Sequence, residues 1–115
     1  MPTYVGGMEI FMITSKQRAY LRALANGIDP IFQIGKSGIT DELLTQLALA
    51  LESRELIKIH ILETAMLDTK ECCNELAEKL DAYPIQAIGS KVVLYKRAVK
   101  PANQKIELPV NKKKK

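Results

Sequence analysis

Between Ile13 and Lys96 the apolar residues switch repeatedly between helical spacing and strand alternation, and the switches divide the chain into elements. Ile13, Tyr20, Leu21, Leu24 and Ala25 form a helical stripe. Thr14, with Gln17 three residues on, has the capping-box pattern that starts such a helix, and Asn26-Gly27 ends it. Ile28 to Ile34 reads as a short buried strand whose beginning is unpaired, because Pro30 has no amide hydrogen to donate. Thr40 caps a second helix, with Ile39 and Leu44 at the hydrophobic-staple positions and Leu43, Leu44, Leu47, Ala48 and Leu51 at helical spacing. In "LIKIHIL", residues 56 to 62, Ile57, Ile59 and Ile61 alternate with Lys58 and His60, which predicts a strand with one buried and one partly polar face. Asp68 with Glu71 opens a third helix lined by Cys72, Cys73, Leu76, Ala77 and Leu80, and Pro84 is expected to close it. Two strands, Ile85 to Ile88 and Val92 to Lys96, then flank Gly89-Ser90-Lys91, where Gly89 can supply the positive φ of a hairpin turn.

The predicted order is therefore α-β-α-β-α-β-β. Strands separated by helices favour right-handed crossovers, so the fold class is α/β, a small mixed four-stranded sheet covered by three helices.

Composition narrows what such a chain can be. At 115 residues, 12.8 kDa and 47% hydrophobic content it can build one core. Its apolar runs fall far short of the roughly 18 to 20 residues of a membrane span, and its start lacks the basic-then-apolar layout of a secretory signal. The two cysteines, Cys72 and Cys73, are adjacent and cannot staple distant segments, which suits a reducing compartment. A cytoplasmic monomer is expected. Residues 1–11 are expected to be an added leader or a misassigned start, residues 12–99 the folded domain, and residues 100–115 a flexible basic tail outside it.

Charge matters through its distribution. The net charge is +4, but Lys112 to Lys115 alone account for four of the 17 basic residues. Residues 41 to 81 carry ten acidic residues against four basic ones, whereas residues 82 to 115 carry one against nine. The chain is polarised although its body is nearly neutral.

Little in this pattern points to catalysis. His60, the single histidine, lies on a strand face where a structural or exposed imidazole is the expected role. Cys72 and Cys73 lack the spacing of a zinc site and fit a buried helical face. The carboxylates fall on the polar faces of the second and third helices without a nucleophile beside them. The expectation is a protein that is not an enzyme and has no metal and no cofactor. "IFQIGKSGIT", residues 31 to 40, is the exception to this blandness. Gly35-Lys36-Ser37-Gly38 is too short for a phosphate-binding P-loop and lacks the third glycine of a dinucleotide fingerprint. It matches the GxxG loop of single-strand RNA binders, in which missing side chains let a sugar-phosphate backbone pack against the peptide.

Three blocks in order, "TSKQRAYLRALANGIDPIFQIGKSGIT", "ELIKIHIL" and "QAIGSKVVLYKR", resemble the CRM domain (chloroplast RNA splicing and ribosome maturation) in its stand-alone bacterial form, called YhbY-like. The resemblance covers about residues 13 to 97. It implies a fold similar to the C-terminal domain of translation initiation factor 3 and RNA binding through the GxxG loop and a basic face. It also implies association with precursors of the large ribosomal subunit. The matching positions are Gly35, Lys36, Ser37 and Gly38 in the loop, Lys16, Arg18 and Arg22 on the first helix, and Lys91 and Lys96 at the closing hairpin. From the residues themselves, Arg18 and Arg22 share one helix face, Lys91, Lys96 and Arg97 cluster at the hairpin, and both groups could join Lys36 on one surface. Tyr20 and Tyr95 could reach a ligand or pack in the core.

The function expected from all this is non-catalytic binding of ribosomal RNA or a large-subunit precursor. The alternative is a protein-interaction module docking through its acidic helices, around Glu71, Glu75 and Glu78.

Overall fold

Each helix begins where a side chain can take up an orphaned amide. In the computed structural model, which describes residues 13–104 and residue 106, α1 spans Ser15–Ala25, and Thr14 and Gln17 form the reciprocal capping box. Helix α2, Asp41–Arg54, starts at Thr40, whose Oγ1 accepts the Leu43 amide at 3.0 Å. Helix α3, Thr69–Leu80, starts at Asp68, whose carboxylate accepts the Glu71 amide at 3.1 Å. Each such cap is worth about 1 kcal/mol.

The strands are β1 (Phe32–Ile34), β2 (Leu56–Ile61), β3 (Tyr83–Ile88) and β4 (Lys91–Tyr95), arranged β1-β2-β4-β3 in one sheet. Strand β1 runs parallel to β2, and β4 is antiparallel to both β2 and β3, so the sheet is mixed. Ile57, Ile59 and Ile61 of β2 face α2 and α3, where they join Leu47, Leu51 and Leu76 in the larger core. On the other face Leu56, Val93 and Tyr95 meet Leu21 and Ala25 of α1. Fully burying each leucine or isoleucine contributes about 2 kcal/mol.

Three sequence expectations change in the folded chain. Pro84 does not close the third helix: α3 stops at Leu80, where Asp81 adopts left-handed backbone (φ 57°), and Pro84 lies inside β3. Strand β3 sits at the edge of the sheet, the position at which a residue without an N–H is tolerated, and the register shifts between Pro84 and Gln86. The first strand is shorter than expected, since only Phe32–Ile34 enter the ladder, although the Ile31 amide still donates to the Lys58 carbonyl at 3.0 Å.

The third change concerns the chain after β4. Two glutamates at the end of α2 gather its backbone. The Glu52 carboxylate accepts the amides of Val99 (2.8 Å) and Lys100 (3.0 Å) and the Asn103 side chain (3.2 Å). Glu55, fully buried, accepts the amides of Ala98 and Ile106, each at 2.8 Å. Ile106 packs against the α1 core. The described part of the segment beyond residue 99 is thus fastened to the fold, while the lysine run and residues 1–11 lie outside the described residues.

Candidate nucleic-acid interface

The Gly35–Gly38 segment leaves the end of β1 and closes into a tight turn, with the Gly38 amide donating to the Gly35 carbonyl at 2.9 Å. Lys36 and Ser37 occupy the exposed corners. The two glycines have different reasons to be there. Gly38 has φ +69°, which strains any side chain. Gly35 has ordinary backbone, and a Cβ there would meet Leu62 Cδ1 at 3.5 Å and Thr64 Oγ1 at 3.7 Å, normal contact distances. Nothing within the described fold demands glycine at position 35.

Two other connections meet the turn at this end of the sheet. The Leu62 amide donates to the Ile34 carbonyl (2.9 Å) and the Ile61 amide to the Ser90 carbonyl (2.7 Å). Thr69 Oγ1 donates to the Gly89 carbonyl at 2.6 Å, tying the start of α3 to the hairpin tip. Gly89 has φ +61°, as the hairpin turn requires. Beside the turn lies an open depression of about 420 Å³ whose lining includes Gln33, Lys36, Thr40 and Glu42. Asp41 and Glu42 already complement the positive end of α2, and Thr40 occupies one of its amides. Anion attraction at the loop therefore falls to Lys36 and the turn itself.

The remaining basic residues separate into two groups. Lys91, at the start of β4, stands exposed at the loop end. Lys96 and Arg97 do not cluster with it: β4 carries them about 17 Å away along the strand, past its end at Tyr95. Lys96 Nζ donates to the Leu80 carbonyl (3.2 Å) at the end of α3, and Arg97 Nη2 to Gln104 Oε1 (3.3 Å). Arg18 donates through Nη1 to the Pro84 carbonyl and pins α1 to β3. Arg22, one turn on, is half-buried, and Lys16 is exposed.

Among the other candidates, Tyr95 is buried and stacked on Tyr83 (6.3 Å between ring centres), while Tyr20 is exposed on α1. Burial, helped by the Glu55 carboxylate, pushes the Tyr95 hydroxyl up to about 12. Burial likewise raises the Cys72 and Cys73 thiols to about 11, which leaves them protonated core side chains at neutral pH. Among the described residues no group of three or more His, Cys, Asp or Glu is placed to hold a metal, and no helix is long and apolar enough to cross a membrane.

The chain has relatives among known proteins. Residues 13–96 match the model of the CRS1/YhbY (CRM) domain family. The chain is 41% identical to the Bacillus subtilis protein named "Probable RNA-binding protein YqeI" over 98 residues, 85% of this chain and all of that protein. It is 32% identical to a Haemophilus influenzae protein named "RNA-binding protein", across 84% of this chain and 95% of the relative. The solution structure of a hypothetical Staphylococcus aureus protein superimposes with a TM-score of 0.67 at 43% identity, covering 85% of this chain and all of that one. The match of residues 13–96 to the family model, together with a relative 41% identical along its whole length, means that the chain belongs to the CRS1/YhbY (CRM) domain family.

Proposed function

We propose that this chain is a non-catalytic RNA-binding protein that holds ribosomal RNA, or a precursor of the large ribosomal subunit, during ribosome assembly, acting as a cytoplasmic monomer. RNA binding is the property for which its relatives are named. The observation that carries the reading is the Gly35–Gly38 turn: Lys36 and Ser37 project from it, and the bare backbone at Gly35 answers no need of the described fold. A missing side chain at that point lets a sugar-phosphate backbone come close to the peptide, while Lys36 meets its charge. Ser37 adds a hydroxyl that can serve either as donor or as acceptor. Lys91 adds positive charge at the loop end, and Lys16 and Arg22 lie on α1, Lys16 exposed and Arg22 half-buried. Arg18, Lys96 and Arg97 have internal acceptors and serve the fold first.

The test is binding of large-subunit ribosomal RNA fragments to the full chain and to its Lys36→Glu and Gly35→Asp variants, at low and moderate salt. The reading expects steep weakening with salt, binding about tenfold weaker or worse in both variants at low salt, and unchanged thermal unfolding for Lys36→Glu. A parallel set with Lys112 to Lys115 replaced by serine removes nonspecific attraction by the lysine run. Equal binding by parent and variants would overturn the loop as the contact. Loss on charge reversal at Glu71, Glu75 and Glu78 instead would move the acidic surface to the front.

A further inference from the structure

The sheet face on which α1 packs is covered only in part. Helix α1 lies over Leu56, Ile85, Val93 and Tyr95. Toward the loop end the same face continues without a helix over it among the described residues. Pairing fixes what that uncovered part contains. Gln33 lies opposite His60, His60 opposite Lys91, and Lys91 opposite Ile88, one residue from each of the four strands. Their neighbours Phe32, Ile34, Ile59, Ile61, Val92 and Ala87 all turn into the core beneath α2 and α3. By alternation the row points the other way, onto the α1 face. Lys58, two residues back along β2, lies on that face between the row and α1.

This row has the properties of a contact surface rather than of a solvated edge. Four strands at about 4.8 Å spacing make it about 14 Å long. Gln33 and Lys91 are exposed, Ile88 is 62% exposed, and Lys58 and His60 are half-buried. No side-chain hydrogen bond or ion pair engages Gln33, Lys58, His60 or Lys91 among the described residues. The row contains no carboxylate, and it is continuous with the turn, because Gln33 also lines the depression beside Gly35–Gly38.

We propose that this row is a second RNA contact, occupied by the single strand that continues from the Gly35–Gly38 turn. Lys91 and Lys58 meet its phosphates. The Gln33 amide and the His60 imidazole, each able to donate and accept, bond base edges or 2′-hydroxyls, and Ile88 gives a ribose or base an apolar seat. The inference rests on the RNA-binding reading and adds to it the path of the strand and the chemistry that reads it.

Because His60 is the only histidine in the chain, its imidazole C–H signals provide a site-specific probe in the full-length protein. The probe ligand is a mixed-sequence single-stranded RNA of about 12 nucleotides, titrated while the His60 signals and the amides of Gly35 to Gly38 are followed. Movement of both sets supports the proposal. Movement of the loop amides with the His60 signals unchanged overturns it and leaves the loop reading standing. Movement of His60 with silent loop amides overturns the loop reading and, with it, the path proposed from the turn onto the row, and absence of any binding overturns both. A polyglutamate peptide run in parallel tests charge alone: if it moves His60 as the RNA does, the row is an acidic-peptide site and the proposal fails. In affinity measurements His60→Ala is expected to weaken the RNA about fivefold, and Lys91→Ala to lower the salt dependence by about 0.7 in log–log slope. Neither should change thermal unfolding, and a change in neither affinity nor slope would overturn the proposal.

Discussion

The two ends of the sheet treat polar groups in opposite ways. At the far end, where β4 finishes, Lys96 is bonded to the last turn of α3, Arg97 to Gln104, and Glu52 and Glu55 together hold four backbone amides of the chain that follows β4. At the loop end, Lys36 and Lys91 are exposed, Gly35 lacks a side chain that the fold could accommodate, and His60 and Gln33 lie side by side on a face that no helix covers among the described residues. A charge that satisfies a carbonyl within the chain has less to offer a ligand, because binding must first break that bond. The comparison assigns structure to one end and recognition to the other, although both are rich in the same residue types.

The sharpest way to break this assignment is at Glu55. Replacing the buried carboxylate by alanine leaves the amides of Ala98 and Ile106 without acceptors, which should cost about 3 kcal/mol of stability in a denaturant titration. RNA affinity of the molecules that remain folded should be unchanged. Lys36→Glu should do the reverse, weakening RNA about tenfold at low salt while leaving the denaturation midpoint in place. If Glu55→Ala abolished binding without unfolding, or Lys36→Glu unfolded the chain, the division between the two ends would be wrong.

A finer version of the same comparison lies inside the turn. Gly38→Ala places a side chain at φ +69° and should cost about 1 to 2 kcal/mol. Gly35→Ala meets only normal contacts and should leave stability within about 0.5 kcal/mol while weakening RNA. Equal destabilisation at the two positions would show that Gly35 serves the fold after all.

What could be read from the chain beforehand follows the range of the interactions concerned. Thr14, Thr40 and Asp68 were legible as caps because each bonds an amide three residues away, and the alternation of β2 was legible because it is a property of one strand. Pro84 reads locally as a helix terminator, whereas its place in β3 depends on β3 being an edge strand, a consequence of pairing order rather than of local sequence. The Glu52 and Glu55 bonds span 43 to 51 residues, and no periodicity announces them. The candidate loop could be picked out by its glycines. Its separation from Lys96 and Arg97, and its continuity with Gln33 and His60, depend on strand direction and register. The alternation of Lys58 and His60 was the available signal, but it could not say which residues stood beside them.

The smallest effect expected is also the one that separates the two ends by pH. Backbone amides of Val99 and Lys100, then the Asn103 side chain, hold the Glu52 carboxyl below its ordinary value of 4.5. The folded chain therefore binds this proton more weakly than the unfolded chain does. The stabilisation is complete above the ordinary carboxylate range and disappears as pH falls through the lowered folded value. Glu52→Gln should melt below the parent near neutral pH, and the gap between them should close as pH falls below the ordinary carboxylate range. A gap that stays constant over that fall would mean that the charge on Glu52 does not fasten the segment. Amide exchange locates the change: corrected for intrinsic rates, Val99 and Lys100 should lose protection as Glu52 is protonated. The Gly38 amide, bonded to the Gly35 carbonyl in a turn that does not involve that carboxylate, should keep its own. Loss of protection at both ends together would make the clasp and the loop one cooperative unit, and the loop could then no longer be treated as a site independent of the far end.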